Sequence, residues 1–135
     1  MLAKEIVKSF YESDLANDSS IISKYLHKDC KLHWNSSKGF SVLDFNELKE
    51  LFKDINKSYE SIRFQISHLL QDGNHVTSRY TLFVKTIESP EEEVALAHFI
   101  TIWEVKEGKL FRGFEISQLA DESPVSLNSF SEIKV

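Results

Sequence analysis

The sequence predicts an α+β fold: a cone-like α+β barrel in which three N-terminal helices pack on a strongly curved mixed or antiparallel sheet. Up to Tyr59, apolar residues recur at helical spacing in three segments, with one short alternating stretch at Cys30–Trp34 between the second and the third. From Ser61 to Leu119 they alternate with polar residues, which is the period of β-strands. Short turns join the later strands, which favours an antiparallel meander. Because no helix lies between these strands, the helices must all cover one face, and the bent sheet encloses a small cavity.

The three helices are predicted from apolar stripes and from end signals. Residues 3–15 carry one apolar face, and the polar break at residues 17–20 supplies candidate N-caps for a short helix over residues 21–26. The third helix has the clearest start, because Asp44 and Glu47 have the spacing of a capping box.

Five strands follow from alternation, β-branched content and turn residues. They are Cys30–Trp34, a strand from Ser61 to the Asp72-Gly73 turn, His75–Ile87, Glu93–Lys106 and Leu110–Leu119. Residues 35–39 have the composition of a loop. Residues 1–120 are expected to form one domain, and residues 121–135, rich in Ser and charge, a loose or surface-docked tail.

Composition excludes several classes of partner. The net charge is −5 and the 16 basic residues are scattered, so no nucleic acid is expected, since a phosphate backbone requires a concentrated basic face. No apolar stretch is long enough to span a bilayer, so no membrane is expected either. The N-terminus does not resemble a signal peptide, and the single cysteine, Cys30, cannot form an internal disulfide. Together these features predict a cytoplasmic protein.

Two segments resemble a known family. Residues 25–33 (YLHKDCKLH) are similar to a segment that leads from a second helix into a strand ending on a pocket histidine, and residues 108–118 (GKLFRGFEISQ) to a turn and last strand. The segments that they resemble are those of the nuclear transport factor 2-like superfamily, in its SnoaL-like, polyketide-cyclase-related branch. The element order of residues 3–120 resembles this branch as well. The resemblance implies a cone-shaped, commonly dimeric fold, shared by isomerases, cyclases, dehydratases, hydrolases and non-enzymes.

Glu115 is the candidate general base. It takes the place of the family's aspartate, and Phe114 that of its tryptophan. Alternation groups Glu115 with Phe111 and Gly113, and if these face the helices the carboxylate projects into the cavity. An apolar environment there raises the pKa of a carboxyl group into the range that suits a base near neutral pH. The alternative is a rim glutamate paired to an arginine or lysine.

Two adjacent pairs leave their orientation open. His33 matches the family's pocket histidine, and facing inward it would pair with Glu115 as an acid–base or orienting partner. In the opposite orientation Trp34 lines the cavity. Tyr80 facing inward would polarise a substrate oxygen or pack as a core aromatic residue. Arg79 facing inward would instead indicate an anionic ligand.

The strand Glu93–Lys106 predicts both a cavity wall and an interface. Phe99, Thr101 and Trp103 share a face with two alanines and are assigned to the cavity. The opposite face, joined by two residues of the last strand, is too apolar to be left in water and predicts a homodimer through the sheet; the alternative is coverage by the tail. This face comprises Leu96, His98, Ile100, Ile102, Phe114 and Ile116.

Two functions fit these features. The five histidines lack the spacing of metal ligands, and phosphate-binding and nucleophile motifs are missing, so neither a metal nor a cofactor is predicted. The first function is a cofactor-independent isomerase, cyclase or dehydratase of a small, largely apolar carbonyl compound, with Glu115, His33 and Tyr80 as catalytic residues. The alternative is a non-catalytic ligand-binding or dimerisation module. A closed ion pair of Glu115 to Arg79 or Arg63 would favour the alternative.

Overall fold

The computed structural model describes residues 2–15, 18, 20–121 and 123–131, and it has the α+β architecture that the sequence predicts. The helices are α1 (Ala3–Glu12), α2 (Ser20–Tyr25), α3 (Phe45–Ser58) and α4 (Pro124–Asn128). The strands are β1 (Leu26–Ser36), β2 (Gly39–Asp44), β3 (Tyr59–Asp72), β4 (His75–Thr86), β5 (Glu93–Lys106) and β6 (Lys109–Leu119). The six strands form one curved sheet in the order β2-β1-β6-β5-β4-β3.

The sheet is mixed because of β1. This strand runs parallel to β6, whereas the other neighbouring strands run antiparallel. The parallel pairing sets Trp34 opposite Glu115. Residues from the two ends of the domain therefore meet in the sheet, although they are 81 positions apart in the sequence.

Helix α3 begins with the predicted capping box, which is confirmed. The Asp44 carboxylate accepts a hydrogen bond from the Glu47 amide at 2.9 Å, and the Glu47 carboxylate accepts one from the Asp44 amide at 3.2 Å. This start directs the apolar side of α3 inward, where Leu48 is buried and the helix contacts β1, β2 and β3. Asp18, one of the candidate caps of α2, accepts a hydrogen bond from the Ser20 amide, while positions 17 and 19 lie outside the described residues.

Two elements were not predicted from the sequence. Residues 39–44 form β2, which pairs with β1 through a turn where Gly39 adopts a φ of 111°. Within the tail, Ser123 caps the short helix α4 by accepting from the Ser126 amide, and Pro124 occupies its first turn, a typical start signal. The part of the tail prediction that concerns residues 132–135 lies outside the described residues.

The helices α1 to α3 lie on one side of the sheet, here called the inner face, and the other side is the outer face. α1 contacts β3 and β4, and α2 contacts β1 and β6. The strand register shifts at Glu60, Ser67, Leu96 and Phe111, and such bulges bend a strand and increase its twist. The curvature that wraps the sheet around the helices is thus built into the strands. No helix among the described residues is long and apolar enough to cross a membrane.

Candidate functional site

A cavity of about 360 Å³ lies between the inner face and helices α1 and α3. Its walls are mostly apolar and aromatic, from Phe10, Phe52, Phe64, Phe99 and Leu82 among others. The exposed residues Ser37 and Lys38, in the turn after β1, also border it. A cavity of this size and lining suits a small, largely apolar molecule.

Glu115 lies in the cavity wall with one carboxylate oxygen held by two donors. The Tyr80 hydroxyl donates to its Oε1 at 2.9 Å, and the Thr101 hydroxyl donates to the same oxygen at 2.6 Å. No described residue donates to Oε2. The arginines that would have closed an ion pair lie elsewhere, with Arg63 paired to Glu93 at 2.7 Å. The carboxylate is therefore oriented by neutral groups and left with one oxygen free.

The electrostatics of this group follow from its surroundings. Burial raises the pKa of Glu115 from 4.5 to about 6, and the hydrogen bonds from Thr101 and Tyr80 oppose that rise. Burial, together with the Glu115 charge, raises the pKa of Tyr11 to about 12 and that of Tyr80 well above 10. At neutral pH the carboxylate is thus mostly ionised, while both tyrosines keep their protons and act as donors.

A buried polar chain supports the site from α1. Trp103 Nε1 donates to the Tyr11 hydroxyl at 3.0 Å, and this hydroxyl lies 3.3 Å from Ser78 Oγ, which donates to the Thr101 carbonyl. The Tyr11 and Tyr80 rings are 4.6 Å apart. The sequence analysis missed Tyr11, because it forms part of the apolar stripe of α1 and nothing in that stripe distinguishes its hydroxyl.

Several residues proposed for the cavity face it. Trp34, Tyr80, Phe99 and Trp103 line it, and the Phe99 ring stacks on Tyr80 at 5.0 Å. Thr101 is fully buried beneath Glu115. The structure therefore brings Tyr80 within hydrogen-bond distance of Glu115, as the catalytic hypothesis requires. Thr101, which the sequence assigned to the cavity wall, lies beneath the carboxylate instead and holds it from below.

Gly113 is what allows Trp103 to lie against β6. A Cβ atom at this position would stand 2.6 Å from Leu32 Cδ1 and 2.7 Å from Trp103 Cζ3, closer than real contacts allow. Glycine therefore sets the depth of the cavity at this end.

His33 does not join Glu115. Its Nδ1 hydrogen bonds to the Gly113 carbonyl at 3.2 Å, and its ring stacks on Phe114 at 4.8 Å on the outer face. Alternation along β1 explains this position: Trp34 faces the cavity, so its neighbour must face away. The prediction that His33 pairs with Glu115 is therefore wrong, and the alternative, in which Trp34 lines the cavity, is the one observed.

Arg79 also faces outward, away from the cavity. Its guanidinium lies 3.5 Å from the centre of the Phe130 ring and donates to Ser67 Oγ and to the Ser129 carbonyl. The expectation of an anionic ligand at an inward Arg79 is therefore not met, since the tail engages this side chain.

Bulges reverse two other predicted orientations. Phe111 is the extra residue between the pairs Val105–Leu110 and Glu104–Arg112, so it turns out of the cavity and packs on His27 at 5.0 Å. Leu96 is the extra residue between the pairs of Leu82 and Phe83 with β5, and it lines the cavity instead of the outer face. Simple alternation fails wherever one residue is inserted in a strand.

The outer face carries the predicted apolar patch, with one change. Ile100, Ile102, Phe114 and Ile116 are exposed, Ile116 at 59%. His98 is buried instead: its Nδ1 bonds to Thr81 at 2.8 Å and the Phe130 ring covers it at 4.5 Å. The tail therefore covers one side of the patch and leaves the remainder open.

A metal site finds no support in the described part of the chain. No group of three or more histidine, cysteine, aspartate or glutamate side chains is placed there to hold an ion. Cys30 is buried, and burial raises the pKa of its thiol to about 12, which leaves the sulfur protonated and unreactive at neutral pH.

Comparison with solved structures shows the same fold in several proteins. IdmH of Streptomyces antibioticus, provisionally assigned as a polyketide cyclase, superposes with a TM-score of 0.70 at 12% identity, over 97% of this chain and 99% of IdmH. An M. tuberculosis LEH-like epoxide hydrolase gives 0.67 at 16% identity, over 85% and 81%. A ketosteroid isomerase-like protein of Catenulispora acidiphila, solved with trimethylamine, gives 0.66 at 13% identity, over 96% and 94%. At such identities the likeness shows the nuclear transport factor 2-like cone fold alone.

Sequence comparison is more specific. No curated protein matches the chain. Residues 7–113, which include the second half of α1, all of α2 and α3 and most of the sheet, match the SnoaL-like domain. The chain belongs to the SnoaL-like domain family.

Proposed function

We propose that the protein is a cofactor-independent proton-transfer enzyme, of isomerase, cyclase or dehydratase type, that uses Glu115 as its general base on a small, largely apolar carbonyl compound. The observation that carries this proposal is the carboxylate itself. It lies in an apolar cavity, is held through Oε1 by Tyr80 and Thr101, and has a pKa raised to about 6. A base of this pKa is ionised at neutral pH and still basic enough to take a proton.

The proposed reaction begins at the free oxygen of Glu115. Oε2 removes a proton from the carbon next to a substrate carbonyl: the electron pair of the C–H bond forms a C=C bond, the π pair of the carbonyl moves to its oxygen, and an enolate forms. In an isomerisation the carboxyl group then returns the proton to another carbon. In a cyclisation the enolate carbon attacks a second carbonyl, and the carboxyl group gives its proton to the alkoxide that results. Tyr80 and Thr101 stabilise the carboxylate before the transfer and orient it throughout.

Hydrogen–deuterium exchange tests this proposal without knowledge of the natural substrate. We expect the protein to accelerate exchange of the α-hydrogens of α-tetralone, a neutral bicyclic ketone, in deuterium oxide followed by proton NMR. Glu115→Gln keeps the shape of the side chain but lacks a basic oxygen, so it should slow exchange at least about 100-fold. Glu50→Gln, an exposed glutamate on α3, is the matched control and should exchange like the wild type. Equal rates for wild type and Glu115→Gln would remove Glu115 as the base.

A second candidate function is non-catalytic binding of a small ligand, here called the receptacle. It is favoured by the aromatic walls around the carboxylate, with Tyr80 stacked on Phe99 and Trp34 opposite Glu115, since rings and a carboxylate together attract an organic cation. The trimethylamine in the Catenulispora acidiphila structure is consistent with such a ligand in this fold. Calorimetry with a hydrophobic tertiary amine distinguishes the two: binding that Glu115→Gln abolishes, with no exchange activity, supports the receptacle.

We also propose that the protein forms a homodimer through the open part of the outer face. Four large apolar side chains stand exposed there: Ile100, Ile102, Phe114 and Ile116. A second copy would cover them, as the family resemblance implies. Phe114→Lys places a charge in this surface and should raise the dissociation constant at least about 100-fold. Light scattering at several concentrations checks this, and a wild type that stays monomeric would refute the dimer.

A further inference from the structure

We propose that Ser117, held by the indole of Trp34, donates a hydrogen bond to an oxygen atom of the molecule bound in the cavity; this inference rests on the proposed use of the cavity. Ser117 follows Glu115 by two residues on β6, so both side chains project from the inner face, about 7 Å apart along the strand. Both line the cavity. The sequence analysis did not single out Ser117, although alternation places it on the face of Glu115.

The contact with Trp34 fixes what the serine hydroxyl can do. Trp34 Nε1 donates to Ser117 Oγ at 2.8 Å. A serine oxygen accepts such a bond and still carries one proton of its own. No described residue accepts that proton, and the hydroxyl borders the cavity. The proton is therefore available to an acceptor on a bound molecule.

The hydroxyl groups that contact Glu115, and those of Ser36 and Tyr11, have partners that use their protons, whereas the hydroxyl groups of Ser37 and Tyr59 also border the cavity. Tyr80 and Thr101 both donate to Glu115 Oε1, and Ser36 donates to the Gly39 carbonyl. Tyr11 accepts from Trp103 and hydrogen bonds to Ser78, which itself donates onward. Tyr80, the donor expected from the sequence, is thus occupied as long as the carboxylate is ionised. Ser117 takes the role that Tyr80 cannot fill.

This arrangement narrows the class of ligand. A hydroxyl without a partner in an apolar cavity is costly, so the cavity favours a molecule with an oxygen acceptor at this point. If Glu115 removes a proton from the carbon beside a carbonyl, negative charge develops on the carbonyl oxygen, and a donor located there stabilises it. The geometry points to a neutral ketone or enone whose oxygen meets Ser117 while the adjacent carbon meets Glu115.

The test compares two ligands of one shape on matched variants. α-Tetralone carries a carbonyl, and its exocyclic-methylene analogue replaces that oxygen with CH₂. Ser117→Ala should weaken binding of the ketone about fivefold, the effect of one neutral hydrogen bond, and leave the methylene analogue unchanged. Infrared spectra of the carbonyl-labelled ketone should show a lower stretching frequency on the wild type than on Ser117→Ala. Ser117→Thr keeps the hydroxyl and should restore the low frequency. Ser23→Ala, at an exposed serine on α2 away from the cavity, is the control and should resemble the wild type.

Several results would overturn the inference. An unchanged carbonyl frequency in Ser117→Ala would do so, as would equal weakening of both ligands, which indicates a packing effect. Loss of the shift in Tyr59→Phe but not in Ser117→Ala would assign the donor to Tyr59, which also lines the cavity. A ketone that does not bind the wild type up to its solubility limit counts against the inference too. A failure of the proposed role of Glu115 can be distinguished from a failure of this inference. If the carbonyl frequency depends on Ser117 but Glu115→Gln leaves the exchange rate unchanged, Ser117 is the donor and Glu115 is not the base.

Discussion

The two faces of the sheet are made by alternate residues of the same strands, yet they differ in the kind of side chain that each shelters from water or exposes to it. On the inner face Glu115, a charged group, is sheltered by helices and held by Tyr80 and Thr101. On the outer face its neighbour Ile116, an apolar group, stands 59% exposed. Folded proteins normally place such residues the other way round. This inversion, visible in two consecutive residues, is the basis of the proposed site on the inner face and of the proposed dimer interface on the outer face.

The sharpest comparison of the faces uses two residues of β6. Leu110→Ala removes a side chain that is fully buried, and we expect it to lower the free energy of unfolding by about 2–5 kcal/mol. Ile116→Ala on the outer face should cost under about 0.5 kcal/mol at low protein concentration, where the chain is monomeric. Urea unfolding measures both. Equal losses in dilute solution would mean that the outer face is covered within a single chain.

The inner face should also make stability depend on pH through Glu115. Burial raises its pKa from 4.5 to about 6, so the unfolded chain loses the proton at lower pH than the folded protein. The contribution of Glu115 to stability is therefore largest below pH 4.5 and falls as the pH rises through 6, by about 2 kcal/mol in all. Glu115→Gln should remove this dependence and be the more stable protein at pH 8, with the two equal near pH 4.

Thermal unfolding of the two proteins across this pH range checks the expectation. Glu50→Gln, exposed on α3, should follow the wild type at every pH. A constant difference between wild type and Glu115→Gln from pH 4 to pH 8 would contradict the burial of a titrating carboxyl group.

The smallest expected effect concerns the part of the outer face that the tail covers. Burial lowers the pKa of His98, the charge of Arg79 lowers it further, and Asp121 opposes them. Phe130→Ala removes the ring that lies 4.5 Å from His98, so water reaches the imidazole and its pKa should rise toward 6.5. NMR titration of the His98 ring proton measures the shift. If Phe130→Ala also changes the pKa of Glu115, the inner and outer faces are coupled and cannot be treated as independent.

Periodicity was enough to predict the architecture and part of the site. The helical stripe of α1, the capping box at Asp44 and the alternation of β4 and β6 each depend on residues close in sequence, and the fold they predict is observed. Glu115 was identified from alternation together with the family resemblance, whereas the choice between Arg79 and Tyr80 as the inward residue stayed open. Local patterns work here because the helix and strand periods are set by the backbone itself.

The remaining features depend on contacts between distant residues. A period of two does not say which of His33 and Trp34 faces inward; the parallel pairing of β1 with β6 decides it. Bulges at Leu96 and Phe111 reverse faces without any change of residue type. The pairing of Trp34 with Ser117 joins positions 83 residues apart, a distance over which no local pattern carries information.

The two hydrogen bonds to Oε1 of Glu115 also have a consequence for the stereochemistry of the proposed proton transfer. Tyr80 and Thr101 both donate a hydrogen bond to that oxygen, so the carboxyl group cannot rotate without breaking both bonds. Only the other oxygen, Oε2, can therefore contact a ligand. If Glu115 is the base, as proposed, its free oxygen therefore approaches a planar enolate from one side. Of the two mirror-related hydrogens on a ring CH₂ group, one should be exchanged and the other kept, and any new stereocentre formed there should have a single configuration.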